Sequence, residues 1–124
     1  LYVSSDAEDT AFTAKIMEEF EDGRTVNIRS MITTLAYRNR AASRQTYTPG
    51  TVEEIHLHMW PIAWKMHPNS RIRVDISSSD FPQYAVHSNY PGVWSVQKRT
   101  KCAQQVIYTG TGRESRVILP VNTL

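Results

Sequence analysis

The sequence predicts an all-β domain, either an antiparallel β-sandwich or a jelly roll, of about eight short strands. Short apolar runs alternate with polar residues at a period of two, which is typical of half-buried strands. Turn residues separate these runs, and no segment carries the apolar spacing of a long helix. The chain has 124 residues, which is enough for a single domain with one core.

The composition is that of an ordinary soluble globular domain, with 40% apolar residues, 21% charged residues and a net charge of +2. Because the Lys and Arg residues are scattered, nucleic-acid binding is not indicated. No apolar run approaches the roughly 18 residues of a membrane span, and no signal peptide is visible. Cys102 is the only cysteine, which favours a reducing compartment. We therefore expect a cytoplasmic protein, and secretion of a parent protein stays open.

Two strands joined by a tight turn are predicted in the first third of the chain. Residues 12–20 alternate apolar and polar side chains, and residues 26–37 repeat the pattern less regularly. Between them, Gly23 supplies the positive φ that a hairpin turn requires. The irregularity predicts a β-bulge at residues 33–34.

A short strand at residues 1–4 starts without an initiator Met, so we expect a chain cut from a longer protein.

The most regular alternation lies in the centre of the chain. Ile72, Val74 and Ile76 fall on one face of residues 71–76, and charged side chains fall on the other. This pattern predicts a half-buried strand. The polar residues that follow end at Pro82, where a β-ladder cannot easily continue. We expect this strand to deliver its polar end to an edge of the domain that faces another domain.

Three further strands are predicted at residues 55–59, 103–108 and 117–121. Long connections lie between the strands at residues 38–50 and 83–99. The second connection contains several aromatic residues, which is more typical of a packed Ω-type loop than of disorder. No repeat or internal domain boundary is apparent, so residues 1–124 form one predicted domain.

The sequence predicts neither a catalytic site nor a bound cofactor. The chain lacks a Gly-x-Ser-x-Gly nucleophile elbow, and the serines at residues 77–79 have no base nearby in sequence. A lone cysteine such as Cys102 is more often an inert small residue than a nucleophile. Phosphate-binding loops and dinucleotide fingerprints are absent from the sequence.

A weak metal-binding pattern is present in the predicted strand at residues 55–59. His56 and His58 are two residues apart, so both project from one face, and Glu54 lies on the same face. Two ligands without a clear third are a weak motif. A row of polar side chains facing solvent or an interface explains the pattern more simply, and no metal is predicted.

Large aromatic residues leave a second function open, because jelly rolls often hold sugars on aromatic platforms. The candidates are Trp60, Trp64, Tyr84, Tyr90 and Trp94. Packing in the core or at a domain interface is the more frequent role of such residues. A free-standing carbohydrate-binding module is therefore the alternative function.

A set of short motifs runs in order along nearly the whole chain. They are LYVSSD at 1–6, DTAFTAK at 9–15, DGR at 22–24, PG at 49–50, WPIA at 60–63, RIR at 71–73, SSSDFP at 77–82 and SRVILPV at 115–121. Together these motifs resemble the C-terminal domain of the family of Xaa-Pro dipeptidyl-peptidases and cocaine-esterase-type hydrolases. No single motif is decisive, and the ordered set is specific.

The resemblance implies a non-catalytic jelly-roll domain of galactose-binding-like type, whose earliest strands precede this chain. In that family the domain follows an α/β-hydrolase domain that carries a Ser-Asp-His triad. The β-domain packs on the catalytic domain and helps to build the walls around the active site. A parent enzyme of this type hydrolyses acyl esters and amides, including X-Pro peptides, and could form a homo-oligomer.

The expected contacts with the catalytic domain lie near the central strand. The candidate residues are Trp60, Trp64, Ser78, Ser79, Asp80, Phe81, Pro82 and Tyr84. Phe81 would supply apolar contact area at this edge. The chain departs from the family pattern immediately afterwards, because Gln83 and Ala85 replace an Arg and an acidic residue. Residues 89–92 replace the usual Asn-Thr-Gly, so exact contacts in this loop are not carried over.

Overall fold

The computed structural model describes residues 1–121 and contains six strands in that range. They are β1 (Tyr2–Ser5), β2 (Ala11–Glu19), β3 (Thr25–Thr34), β4 (Glu53–Glu54), β5 (Arg71–Ser77) and β6 (Gln105–Tyr108), with short 3-10 segments at Leu35–Arg40 and Trp94–Val96. The strands form two antiparallel sheets, in the orders β4-β1-β6 and β3-β2-β5. The predicted all-β sandwich class is confirmed, whereas the jelly-roll order and the galactose-binding-like type stay predictions.

The predicted hairpin is present as β2 and β3, with Gly23 in its turn at φ 83°. The predicted position of the bulge is wrong. The register shifts where Ile16 and Met17 of β2 lie opposite Arg29 and Asn27, so Ile28 is the extra residue of β3. Around residues 33–34 the two strands pair in register. The irregular apolar pattern there arises because β3 ends and the chain turns into a 3-10 segment.

Two of the predicted strands are not formed as expected within residues 1–121. The strand β4 ends at Glu54, only Ile55 of residues 55–59 continues its pairing, through two backbone hydrogen bonds with Leu1, and residues 117–121 belong to no strand. Both segments have strand-like alternation, but a strand also needs a partner for its backbone hydrogen bonds. Residues 1–121 therefore contain six strands, fewer than the predicted total of about eight.

The central strand is confirmed as β5, which pairs with β2 along its whole length. Directly paired residues of adjacent strands share a face of the sheet. Ile76 therefore lies beside Ala14, and Val74 beside Ile16, on the inner face that looks towards the other sheet. The charged residues of β5 lie on the outer face.

The buried core joins the two sheets at one end of the sandwich, which we call the closed end. Its apolar side chains are Val3, Phe12, Leu35, Tyr47 and Ile55. The Tyr47 hydroxyl donates to the Thr51 carbonyl oxygen at 2.7 Å and accepts from the Ser5 N–H at 2.9 Å. The single polar group in this apolar cluster is thus satisfied, as burial requires.

The other end of the sandwich is open and forms a cleft of about 570 Å³ between the sheets. We call this region the open cleft. The inner face of β5 lines one wall, and residues 55–66 and 116–121 line the others. Ile72 is 45% exposed there. Among residues 1–121, neither helical segment is long and apolar enough to cross a membrane.

Candidate interdomain surfaces

Residues 77–84, which we call the rim, leave the end of β5 and fold back over the outer face of the second sheet. Lys15 on β2 donates from Nζ to Oδ1 of Asp80 at 2.6 Å. The Tyr84 hydroxyl donates to the carbonyl oxygen of Ser30 on β3 at 3.1 Å. The rim is therefore anchored to two different strands.

The anchored rim presents Phe81 to solvent. Its side chain is 73% exposed, although the rim residues on both sides of it bond to the sheet. The Phe81–Pro82 peptide bond is cis. Ser78 and Pro82 are also exposed, whereas Ser79, Asp80 and Tyr84 are half-buried. A large apolar ring held outwards by a fixed loop has the character of a contact residue rather than of a core residue.

The other two predicted contact residues, Trp60 and Trp64, lie at the opposite end of β5. Trp60 is 71% exposed and lines the open cleft. Trp64 donates from its indole Nε1 to Oε2 of Glu18, which is paired with Ile72 near the start of β5. A strand of seven residues spans roughly 20 Å. The structure therefore separates the predicted contact residues into two groups, the rim and the cleft wall.

Glu18, which the sequence analysis did not single out, holds the cleft wall in place. Its carboxylate is fully buried and accepts hydrogen bonds from the Ser70 hydroxyl at 2.6 Å, the His67 N–H at 2.6 Å and Trp64 Nε1 at 2.9 Å. The Ser70 hydroxyl and the other donors stabilise the ionised form and lower the pKa of Glu18 to about 2. In the sequence, the only indication of this role was that Glu18, a charged residue, falls on the inner face of β2.

The cluster of Ser70, His67 and Glu18 contains the residue types of a catalytic triad without its geometry. In a triad the Ser hydroxyl faces Nε2 of the His, and the carboxylate holds Nδ1. Here the Ser70 hydroxyl donates to Oε1 of Glu18, and His67 Nδ1 lies 3.1 Å from the same oxygen. The Ser70 hydroxyl therefore faces a carboxylate that its lowered pKa makes a weak base rather than the His67 ring, and the cluster acts as a structural anchor.

The loop at residues 85–101 exposes more apolar side chains on the rim side of the molecule. Asn89 fastens it, because its side chain accepts from the Thr10 hydroxyl at 2.7 Å and donates to the Lys101 carbonyl oxygen at 2.7 Å. The exposed residues are Val86, Val93, Trp94 and Val96. Only Trp94 was singled out from the sequence, because isolated apolar residues in a loop carry no periodic signal.

A groove of about 560 Å³ separates this loop from the edge strand β3. Tyr37 and Trp94 are half-exposed on its walls. The polar groups in it include Asp9 and His87, whose Oδ2 and Nε2 atoms lie 3.6 Å apart. Of the five aromatic residues singled out for sugar binding, Trp94 alone lines this groove.

The His56 and His58 rings lie side by side, with centroids 5.7 Å apart. The Glu54 carboxylate is already engaged, because Oε1 lies 2.9 Å from His56 Nε2 and Oε2 accepts from the Tyr2 hydroxyl at 2.8 Å. No group of three His, Cys, Asp or Glu residues within residues 1–121 is arranged to hold a metal ion.

Comparison with known proteins places this arrangement in a family. The profile of the X-Pro dipeptidyl-peptidase C-terminal non-catalytic domain matches residues 1–118. The chain is also 33% identical over 123 residues to cocaine esterase from Rhodococcus sp. (strain MB1 Bresler). The match covers 98% of this chain and 21% of cocaine esterase, so the chain spans about a fifth of the length of that relative. The protein therefore belongs to the family of C-terminal non-catalytic domains of X-Pro dipeptidyl-peptidases, a hydrolase family that includes the corresponding region of cocaine esterase.

Proposed function

We propose that this domain packs on an α/β-hydrolase catalytic domain of the same full-length protein and helps to shape the surroundings of its active site. The observation that carries the proposal is the exposed Phe81 ring on an anchored rim. Family membership in a class of non-catalytic domains supports it. An apolar anchor fixed before contact loses little conformational entropy when the partner docks.

The rim is favoured as the docking surface over the rest of the domain because it combines apolar and polar groups. Phe81 and the apolar residues of loop 85–101 supply area that gains free energy when it is removed from water. Asp80 Oδ2 is buried and has no hydrogen-bond partner within residues 1–121. A donor from the catalytic domain would satisfy this oxygen, since a buried acceptor left unpaired costs free energy.

Hydrolysis itself is assigned to the remainder of the full-length protein, which we propose to be a serine hydrolase acting on acyl esters or X-Pro peptides. Residues 1–124 alone should hydrolyse an activated ester no faster than buffer. The coding sequence around this segment should contain a Gly-x-Ser-x-Gly motif. A location in the cytoplasm and a homo-oligomer of the parent also stay proposals.

Replacement of Phe81 tests the docking role. In the full-length protein, Phe81→Ala should lower the temperature at which the domains separate and should raise KM or lower kcat. In the isolated chain the same change should alter stability little, because the ring is exposed. Val106→Ala is the matched control, since Val106 is an exposed apolar residue on the other sheet. Equal effects of the two substitutions in the full-length protein would contradict the proposal.

A carbohydrate-binding module is the second candidate function. It is supported by the groove in which Tyr37 and Trp94 flank polar side chains, since sugars stack on aromatic faces and bond to nearby carboxylates. A glycan array tests it with the wild type and with Trp94→Ala. Reproducible binding that depends on Trp94 would favour the module over the interdomain role.

A further inference from the structure

We propose that the groove between loop 85–101 and β3 binds a neutral sugar through two neighbouring hydroxyl groups, one of which donates to Asp9 Oδ2 while the other accepts from His87 Nε2. The proposal rests on the second candidate function and deepens it by naming the protein groups that recognise the ligand. It does not depend on docking through the rim, because Phe81 does not line the groove.

The first step in the argument is a carboxylate in the groove with one unpaired oxygen. Asp9 lies just before β2 and is only 3% exposed. Its Oδ1 accepts a hydrogen bond from the Ala36 N–H at 3.0 Å, which fixes the position of the carboxylate. Its Oδ2 has no hydrogen-bond partner among residues 1–121. A ligand hydroxyl that donates to this nearly buried oxygen therefore gains free energy.

The second step is a donor held beside that oxygen. His87 Nε2 lies 3.6 Å from Asp9 Oδ2, which is longer than a hydrogen bond. His87 Nδ1 accepts from the Asn89 N–H at 3.0 Å, so the proton of a neutral ring lies on Nε2. Asn89 is itself held by the Thr10 hydroxyl and the Lys101 carbonyl oxygen. The groove thus contains a fixed acceptor beside a fixed donor, and neither satisfies the other.

The third step is the pair of aromatic side chains on the walls of the groove. Tyr37 is 51% exposed and Trp94 is 49% exposed, so each ring keeps about half of its surface available for contact. The Trp94 indole donates from Nε1 to the Val86 carbonyl oxygen at 3.2 Å, which fixes the orientation of the ring. A fixed aromatic ring is a stacking surface for the apolar face of a sugar, and little side-chain entropy is lost when the sugar binds.

Charge and size also favour a neutral sugar. Asp9 repels an anionic ligand, and the exposed Arg44 in the same lining repels a cationic one. The groove volume of about 560 Å³ falls within the usual range of small-molecule pockets. A sugar ring carries hydroxyl groups on neighbouring carbons, and each hydroxyl both donates and accepts. Two such groups match the unpaired acceptor of Asp9 and the unpaired donor of His87.

Binding of simple sugars to the full-length protein tests the site. The probes are the methyl glycosides of glucose, galactose and mannose, and at least one should bind with a Kd of about 1 mM or tighter in calorimetry. Trp94→Ala should weaken that binding at least about tenfold. Trp60→Ala, which removes an exposed Trp of the open cleft, should leave it unchanged. Absence of binding by all three probes, or equal losses in the two variants, would overturn the proposal.

Monodeoxy analogues of the bound methyl glycoside test the two hydrogen bonds with the wild-type protein. Removal of either hydroxyl of one neighbouring pair should weaken binding at least about tenfold, and removal of the others should matter less. Equal affinity of all the analogues would overturn the proposal. Because this series needs no substitution, it remains decisive if a variant at Asp9 fails to fold.

Asp9→Asn tests the acceptor from the protein side. The Asn amide can still accept from the Ala36 N–H, but its NH₂ group then faces His87 Nε2, so sugar affinity should fall at least about tenfold. Glu8→Gln, at an exposed neighbouring acid, is the control and should bind as the wild type does. Binding that needs Trp94 but is unchanged in Asp9→Asn would overturn this inference and leave the second candidate function standing. The Phe81 test is unaffected by either result.

Discussion

The closed end of the sandwich and the open cleft are built from the same classes of apolar side chain, yet only the closed end is shielded from water. Phe12 and Ile55 are almost completely buried, whereas Ile118 is 80% exposed. Their polar groups differ in the same way, because the Tyr47 hydroxyl has hydrogen-bond partners among residues 1–121 and Arg29 Nε has none there. The difference shows that residues 1–121 remove the apolar side chains of the closed end from water but leave those of the open cleft partly exposed.

The largest effect is expected from a cavity at the closed end. Phe12→Ala should lower the free energy of unfolding by about 3–5 kcal/mol, because neighbouring side chains cannot fill the space that the ring leaves. Urea denaturation measures this loss. Phe12→Leu is the matched variant and should cost less than half as much. Equal stability of Phe12→Ala and wild type would mean that the closed end does not support the fold.

The next largest effect is expected at Glu18, which anchors the cleft wall. The pKa of Glu18 falls from 4.5 to about 2 on folding. A lowered folded-state pKa means that Glu18 stabilises the protein fully above pH 4.5 and loses this contribution as the pH falls towards 2. Glu18→Gln should lower stability at pH 7 and reduce the loss between pH 4.5 and 2. Urea titrations at both ends of this range measure the change, with the exposed Glu21→Gln as control.

A smaller effect is expected at the anchor of the rim. Lys15→Met should lower the free energy of unfolding by about 1–2 kcal/mol, because the largely buried Asp80 loses its partner. Arg24→Met removes a far more exposed ion pair with Asp22 and should cost clearly less. If the two variants lost equal stability, the rim would not be held by Lys15.

The smallest effect is expected in the open cleft of the isolated chain. Ile118→Ala should change the free energy of unfolding by no more than about 0.5 kcal/mol, since the side chain contacts mainly solvent. Urea denaturation of the isolated chain measures this change, and a loss as large as that of Phe12→Ala would contradict the contrast between the two ends.

Local pattern predicted much of this fold. The alternation in β5, the strand that begins near Phe12 and the turn at Gly23 are all present in the structure. These three features depend either on the two-residue side-chain period of a strand or on the φ of a single residue. Both properties can be read from neighbouring positions in the sequence. Phe81 was likewise predicted to lie at an exposed edge, because a proline follows a polar strand end.

The position of the bulge in β3 is a feature that the local sequence pattern did not predict. Its position at Ile28 depends on how β3 pairs with β2, and no alternation within β3 alone specifies that register. The bulge changes which side chains face the cleft, because Arg29 pairs with Ile16 and lines the cleft. The strands predicted at residues 55–59 and 117–121 fail for a related reason, because strand-like residues form no ladder without a partner strand.

The sequence by itself determined the all-β class, most strand positions and the absence of a nucleophile elbow, and it predicted an edge of the domain at Phe81. Only the tertiary structure separated the rim from the cleft wall, gathered Trp64, His67 and Ser70 around Glu18, and left Arg29 Nε buried without an acceptor among residues 1–121. These contacts join residues far apart in the chain. Side-chain periodicity predicts which face of a strand a residue lies on. Which distant residue it contacts depends on how one sheet packs on the other.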